Sequence, residues 1–248
     1  MASRKQQKEE ARARRVAEEQ ARAQKEARDR RLRLIAGIAV AVIAVIGVTV
    51  AVASSGGGSS GTGSPSKQAD VSGVKLPAQK ITNMAQAVKA AGCTTIDTPD
   101  AIARTDANRQ HEQPGTKIKY ATNPPSYGPH YPAPASDGEY KPGNVPQAPY
   151  LVHALEHGRI EYQYSSSLPS ADVKQLEALF NEEDGRWTPG QMLLLYPNGT
   201  NMPYQVAATA WGHVLGCKVF NARVFDALRA FRETYTNQGP EQLGTGPE

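Results

Sequence analysis

Cysteine is scarce in this chain, with two among 248 residues, which excludes a disulfide-dense mini-protein. There is no strict glycine period, so a collagen-like chain is excluded as well. No Gly-rich phosphate loop, no Ser-His-Asp ordering and no G-x-S-x-G elbow is visible, and no internal repeat stands out. With 39% hydrophobic residues the chain is long enough for one sizeable core, and its length corresponds to one or two domains. Charge is also missing from one stretch: residues 34–53 contain no Asp, Glu, Lys or Arg, and Thr49 is their only hydroxyl.

Twenty apolar residues rising about 1.5 Å each span about 30 Å, the thickness of a bilayer hydrocarbon core. The stretch is read as a transmembrane helix. The alternative is a cleaved signal peptide, since Ala51-Val52-Ala53 forms a small-residue cleavage pattern; the long basic leader and the length of the apolar run argue against it. No cysteine follows directly, so nothing suggests a lipoprotein. Residues 1–33 carry 12 Lys and Arg against 6 Asp and Glu, and the remainder carries 16 against 18, so the net charge of +4 comes from one end. A nucleic-acid-binding globular domain is therefore disfavoured, because its positive footprint belongs on the folded part.

Basic residues flanking a membrane helix stay on the cytoplasmic side. Arg28, Arg30, Arg31 and Arg33 precede the span, and the first charge after it is Lys67. Expected are a basic cytoplasmic leader (1–33), a single-pass membrane helix (34–53), a Gly/Ser linker (54–66) and an extracytoplasmic domain (67–248). The leader is read as a solvated helix that sets orientation; its second reading is contact with anionic lipid headgroups. The linker has nothing to bury and behaves as a tether.

In the outer domain, helical spacing over 81–91 with Thr82 or Asn83 as cap and Gly92 as stop predicts a helix. Residues 114–149 hold nine of the eighteen prolines, which excludes a regular helix or central strand there. A short helix over 151–157 ended by Gly158, a half-buried strand over 159–164, and a Ser-capped helix over 170–183 follow. Residues 192–196, 206–211 and 213–220 read as strands, and 222–235 as a closing amphipathic helix. Without regular βαβ alternation the order points to α+β, with a small, mostly antiparallel sheet and flanking helices. Asn198-Gly199-Thr200 fits a glycosylation sequon, but Asn-Gly favours a tight turn. Five tyrosines between Tyr120 and Tyr150 interleave with the prolines and are read as packing that stiffens the loop.

The chemistry concentrates in five histidines, all in the outer domain. His153 and His157 are spaced i,i+4, so one face of a helical turn can present both rings to one ion. Glu156 lies near that face, and His130 follows Gly128-Pro129, where a stiff backbone can hold a third ligand. His130, His153 and His157 are the expected metal ligands, and copper or zinc the expected ion. The competing reading is that these rings only hold the loop by hydrogen bonds. His111 looks like part of an exposed polar turn, and His213 like a ring satisfying hydrogen bonds at a strand junction. His153-Ala154-Leu155-Glu156-His157 also spells H-x-x-E-H, the pattern of zinc hydrolases, although Gly158 cuts the helix short.

Three segments carry a family resemblance: Pro124-Pro125-Ser126-Tyr127-Gly128-Pro129-His130-Tyr131, Leu151-Val152-His153-Ala154-Leu155-Glu156-His157-Gly158 and Ala208-Thr209-Ala210-Trp211-Gly212. Together they resemble the DUF3105 family of uncharacterised bacterial proteins, over about residues 111–240. The family's proline motif usually reads Pro-Pro-Thr-Ser-Gly-Pro-His; here Ser126-Tyr127 stands in place of Thr-Ser and the histidine is kept. The resemblance implies an extracytoplasmic, often membrane-tethered domain, frequently actinobacterial, and supplies no activity. Three functions stay open: a metal-binding or metal-handling envelope protein, a non-catalytic envelope interaction module, and a zinc-dependent hydrolase. Cys93 and Cys217 are read as a disulfide across an oxidising space; the competing reading makes Cys217, four residues after His213, a metal ligand.

Overall fold

A computed structural model describes residues 63–183 and 185–243. The leader, the apolar stretch 34–53 and the linker as far as residue 62 lie outside the described residues. Among the described residues no helix is long and apolar enough to cross a membrane. At the end of the predicted linker, the Ser66 amide donates to the Glu139 carbonyl at 2.6 Å.

Among the described residues six strands form one sheet: β1 (Thr94–Asp97), β2 (Gly138–Glu139), β3 (Ile160–Tyr164), β4 (Leu193–Pro197), β5 (Val206–Ala210) and β6 (His213–Cys217). Their order is β1-β6-β5-β3-β4-β2. The β1–β6, β6–β5 and β5–β3 pairings are antiparallel, whereas β3–β4 and β4–β2 are parallel, so the α+β sheet is mixed. Within the described residues five helices accompany it: α1 (Met84–Ala91), α2 (Asp100–Ala103), α3 (Ala148–Glu156), α4 (Ser170–Phe180) and α5 (Val224–Tyr235).

Successive side chains of a strand point to opposite faces, and β4 shows how the two faces are covered. Leu193 and Leu195 pack with Ala87 of α1, Leu176 and Phe180 of α4, and Phe225 and Phe231 of α5. Leu194 and Tyr196 face the other way, into Tyr131, Tyr140, Tyr150, Leu151 and Ala154. The sheet thus lies between a helical layer and a layer made of α3 and the proline-rich segment. For this reason β3 is buried along its whole length rather than half-buried as its alternation predicts: its polar positions, Glu161 and Gln163, lie under the second layer.

Local signals account for some helix boundaries. The Asn83 side chain accepts the Gln86 amide at 3.0 Å and Gly92 closes α1 at φ 69°, in the left-handed region where glycine has no Cβ penalty. In α4, Ser170 is the first helical residue and Pro169 occupies the cap, so the predicted serine cap is not formed. The proline-rich segment is ordered, and its β2 sits at the sheet edge, where proline-rich sequence is tolerated. In the Asn198-Gly199-Thr200 turn the Asn198 carboxamide accepts the Thr200 amide at 2.8 Å, while positive φ falls on Asn201. Cys93 and Cys217 form a disulfide, which removes Cys217 as a metal ligand.

Candidate metal centre

α3 begins with Pro149 in its first turn, where a fixed φ and a missing amide are least costly. It ends in a Schellman arrangement: the Gly158 amide donates to the Leu155 carbonyl at 2.9 Å and the Arg159 amide to the Ala154 carbonyl at 3.1 Å. Gly158 takes φ 80°, and a Cβ there would lie 2.7 Å from Asn237 Cα. His157 is therefore the C-cap, one residue beyond the helix, while His153 and Glu156 stand within it. Arg159 is buried beyond the turn and donates to Asp137 at 3.2 Å, fixing where β3 starts.

His130 is held from both sides of its backbone: its amide donates to the Gln110 carbonyl at 3.1 Å and its carbonyl accepts the Glu112 amide at 2.7 Å. This small parallel bridge brings His111 alongside. The His111 and His153 rings stack with centroids 4.8 Å apart, and the His130 ring lies 5.0 Å from His111 and 4.7 Å from His153. Trp211 meets the edge of His130 at 5.8 Å, and its indole N–H donates to the Ala103 carbonyl at 3.0 Å. Gly212 donates its amide to the Ser126 carbonyl at 2.9 Å. The three sequence segments singled out above thus meet at one place.

A backbone carbonyl can only accept, so it fixes the tautomer of a neutral imidazole that faces it. His130 Nδ1 donates to the Gly128 carbonyl at 2.9 Å and His153 Nδ1 to the Tyr131 carbonyl at 2.5 Å. When such a ring is neutral its lone pair is on Nε2, the arrangement in which second-shell carbonyls orient metal-binding histidines. His130 Nε2 lies 2.9 Å from Glu156 Oε2, and both atoms are buried without an aligned hydrogen-bond partner. His153 Nε2 lies 3.0 Å from His157 Nε2.

Burial drives the His153 pKa down to about 3, and the neighbouring imidazoles push the same way. The ring stays neutral at physiological pH, the form that binds a metal. Burial, and after it the neighbouring His130 ring, likewise lower His111. For Glu156 burial works upward, but His130 and the Arg109 guanidinium outweigh it and hold the carboxyl below its ordinary value. Arg109 Nε contacts Glu156 at 3.1 Å, and its Nη2 reaches Glu241 at 3.2 Å.

Among the described residues, two overlapping sets of side chains could hold a metal ion. His111, His130, His153 and Glu156 form one, with ligand atoms all within 4.8 Å of one another; Glu156, His157 and Glu241 form the other. Of the residues expected from sequence, His130 and His153 share a set, while His157 touches His153 but groups with the two carboxylates. His111 is exposed, as expected, yet joins the cluster. Glu241 carries no local motif, and His111 lies 19 residues from His130; neither has a spacing signal. His213 lies elsewhere, its Nδ1 2.7 Å from Asp97 Oδ1 and its ring stacked on Tyr235.

The family model described as "Protein of unknown function (DUF3105)" matches residues 111–246, from the first clustered histidine past Glu241. The chain belongs to the DUF3105 family. No curated protein and no solved structure matches it. Within this DUF3105 domain the match spans both ligand sets.

Proposed function

We propose that this is a membrane-anchored extracytoplasmic protein that binds or handles a transition metal, copper or zinc, at the cell envelope. His130, His153 and Glu156 hold the ion, with His111 at the solvent side and His157 as an alternative partner of His153. One observation carries the reading: two buried imidazoles have their Nδ1–H groups tied to backbone carbonyls, and their Nε2 atoms reach a carboxylate oxygen and a third imidazole at about 3 Å. Ligands about 2 Å from a shared ion stand at such separations. Imidazole with carboxylate suits zinc and copper.

Metal analysis of the purified full chain tests this. The wild type is expected to carry, or to take up on titration, close to one zinc or copper ion per chain, and His153→Ala to lose it. A wild type that binds neither ion overturns the proposal.

The same carbonyl contacts support a second reading, in which the histidines only pin the proline-rich segment over α3 and the domain is a non-catalytic envelope interaction module. The hydrolytic reading needs Glu156 as a proton acceptor, whereas Arg109 engages it in a half-buried ion pair. Membrane anchorage is supported by the charge-free stretch 34–53 and the basic residues before it. Alkaline extraction of membranes, with protease accessibility of the outer domain, tests that part; release of the protein into the soluble fraction overturns it.

A further inference from the structure

α3 also walls a second feature, a cavity of about 430 Å³ between the proline-rich segment and the sheet. Pro125, Val145, Pro146 and Leu151 make it apolar, and Glu161 and Gln163 of β3 supply its polar side. Its volume lies within the range of about 300 to 1,000 Å³ usual for small-molecule sites.

Glu161 is 1% exposed. Its Oε2 accepts three hydrogen bonds, from the Tyr196 hydroxyl at 2.6 Å, the Thr209 hydroxyl at 2.8 Å and the Gln163 amide at 3.1 Å. Its Oε1 accepts none. The donors nearby are already committed: Gln163 Nε2 also donates to Thr209 Oγ1 at 3.0 Å, and Asn198 Nδ2 donates to Gln163 Oε1 at 2.7 Å. No Lys, Arg or His is among the residues lining the cavity. A buried carboxylate with one saturated oxygen and one orphan is costly, and among the described residues lining the cavity none supplies the missing cationic donor.

We infer that this cavity binds a small organic amine: the ammonium group donates to Glu161 Oε1 and the hydrocarbon body lies against the proline and aliphatic walls. The site shares α3 with the metal cluster but uses none of its ligands. Neither proposal depends on the other.

Calorimetric titration of the full chain with benzylamine, in the presence of a metal chelator and near pH 8, tests the assignment. A primary amine is cationic under those conditions. Benzyl alcohol serves as the neutral probe of equal size. Wild-type protein is expected to prefer benzylamine by about tenfold or more, as a charge-assisted hydrogen bond requires. Glu161→Gln should abolish the preference, and Val145→Trp, which fills the cavity from its apolar wall, should abolish binding of both probes. Absence of benzylamine binding, equal affinity for the two probes, or binding unaffected by Val145→Trp overturns the proposal. Should Glu161→Gln fail to fold, the comparison of probes and Val145→Trp still decide it.

Discussion

The Nε2 atoms of His153 and His157 lie 3.0 Å apart, and the other nitrogen of His153 is committed to the Tyr131 carbonyl. Two lone pairs at that distance repel, so the pair shares either a proton or a cation. If a cation, the order of ligand importance follows from burial and placement. His153→Ala should weaken zinc affinity by about 100-fold or more, and His111→Ala, at the exposed rim, by about tenfold. His213→Ala, paired with Asp97 away from the cluster, should change nothing. Competition against a chromophoric chelator measures all three, and equal losses would contradict the assignment.

Gly158 and Gly92 both end helices in the left-handed region, but only Gly158 has a neighbour where a Cβ would go. Gly92→Ala is expected to cost about 1 kcal/mol of backbone strain. Gly158→Ala adds a clash with Asn237 and is expected to cost about 2 kcal/mol or more. It should also weaken zinc binding, because it displaces both His157 and the segment carrying Glu241. Urea denaturation of the two variants provides the comparison.

Glu161 gives the stability a definite pH dependence. Burial raises its pKa from 4.5 to about 7, against the three hydrogen bonds it accepts. The folded state therefore holds the proton more tightly than the unfolded state. The contribution is fully present below about pH 4.5 and is lost as pH rises to about 7, a change of roughly 3 kcal/mol. Denaturation of the wild type and Glu161→Gln between pH 4.5 and 8 should show the difference between them shifting by that order in favour of the variant. Parallel curves would refute it.

The disulfide joins residues 124 apart. Its loss through reduction, or in the double variant Cys93→Ala and Cys217→Ala, should lower stability by about 4 to 5 kcal/mol in the chain-entropy model. Cys93 precedes β1, whose Thr94 pairs with Gly216 of β6, so the loss should loosen that edge first. Hydrogen exchange of the β1 and β6 amides reports it.

Elements with a strong local signal were legible before the structure. Asn83 and Gly92 bracket α1, Gly158 ends α3, and the stripe of Val224, Phe225, Leu228 and Phe231 marks α5. β1, α2 and β2 were not, because each is four residues or fewer and draws its stability from partners distant in the chain. The i,i+4 pair and the proline-flanked His130 pointed to the right neighbourhood. His111 and Glu241 could not be found that way, since a bridge to His130 and an ion pair with Arg109 bring them in.

Local chemistry thus marked several helix ends, the α+β class and the family of this chain, because caps, periodicity and short motifs act through residues near in sequence. Which nitrogen of His130 and His153 is turned inward, which carboxylate meets them, and that Glu161 is buried with an oxygen unpaired were decided by packing of α3 and the proline-rich segment on the sheet. Those facts depend on contacts between residues tens of positions apart, and no local pattern encodes such a distance.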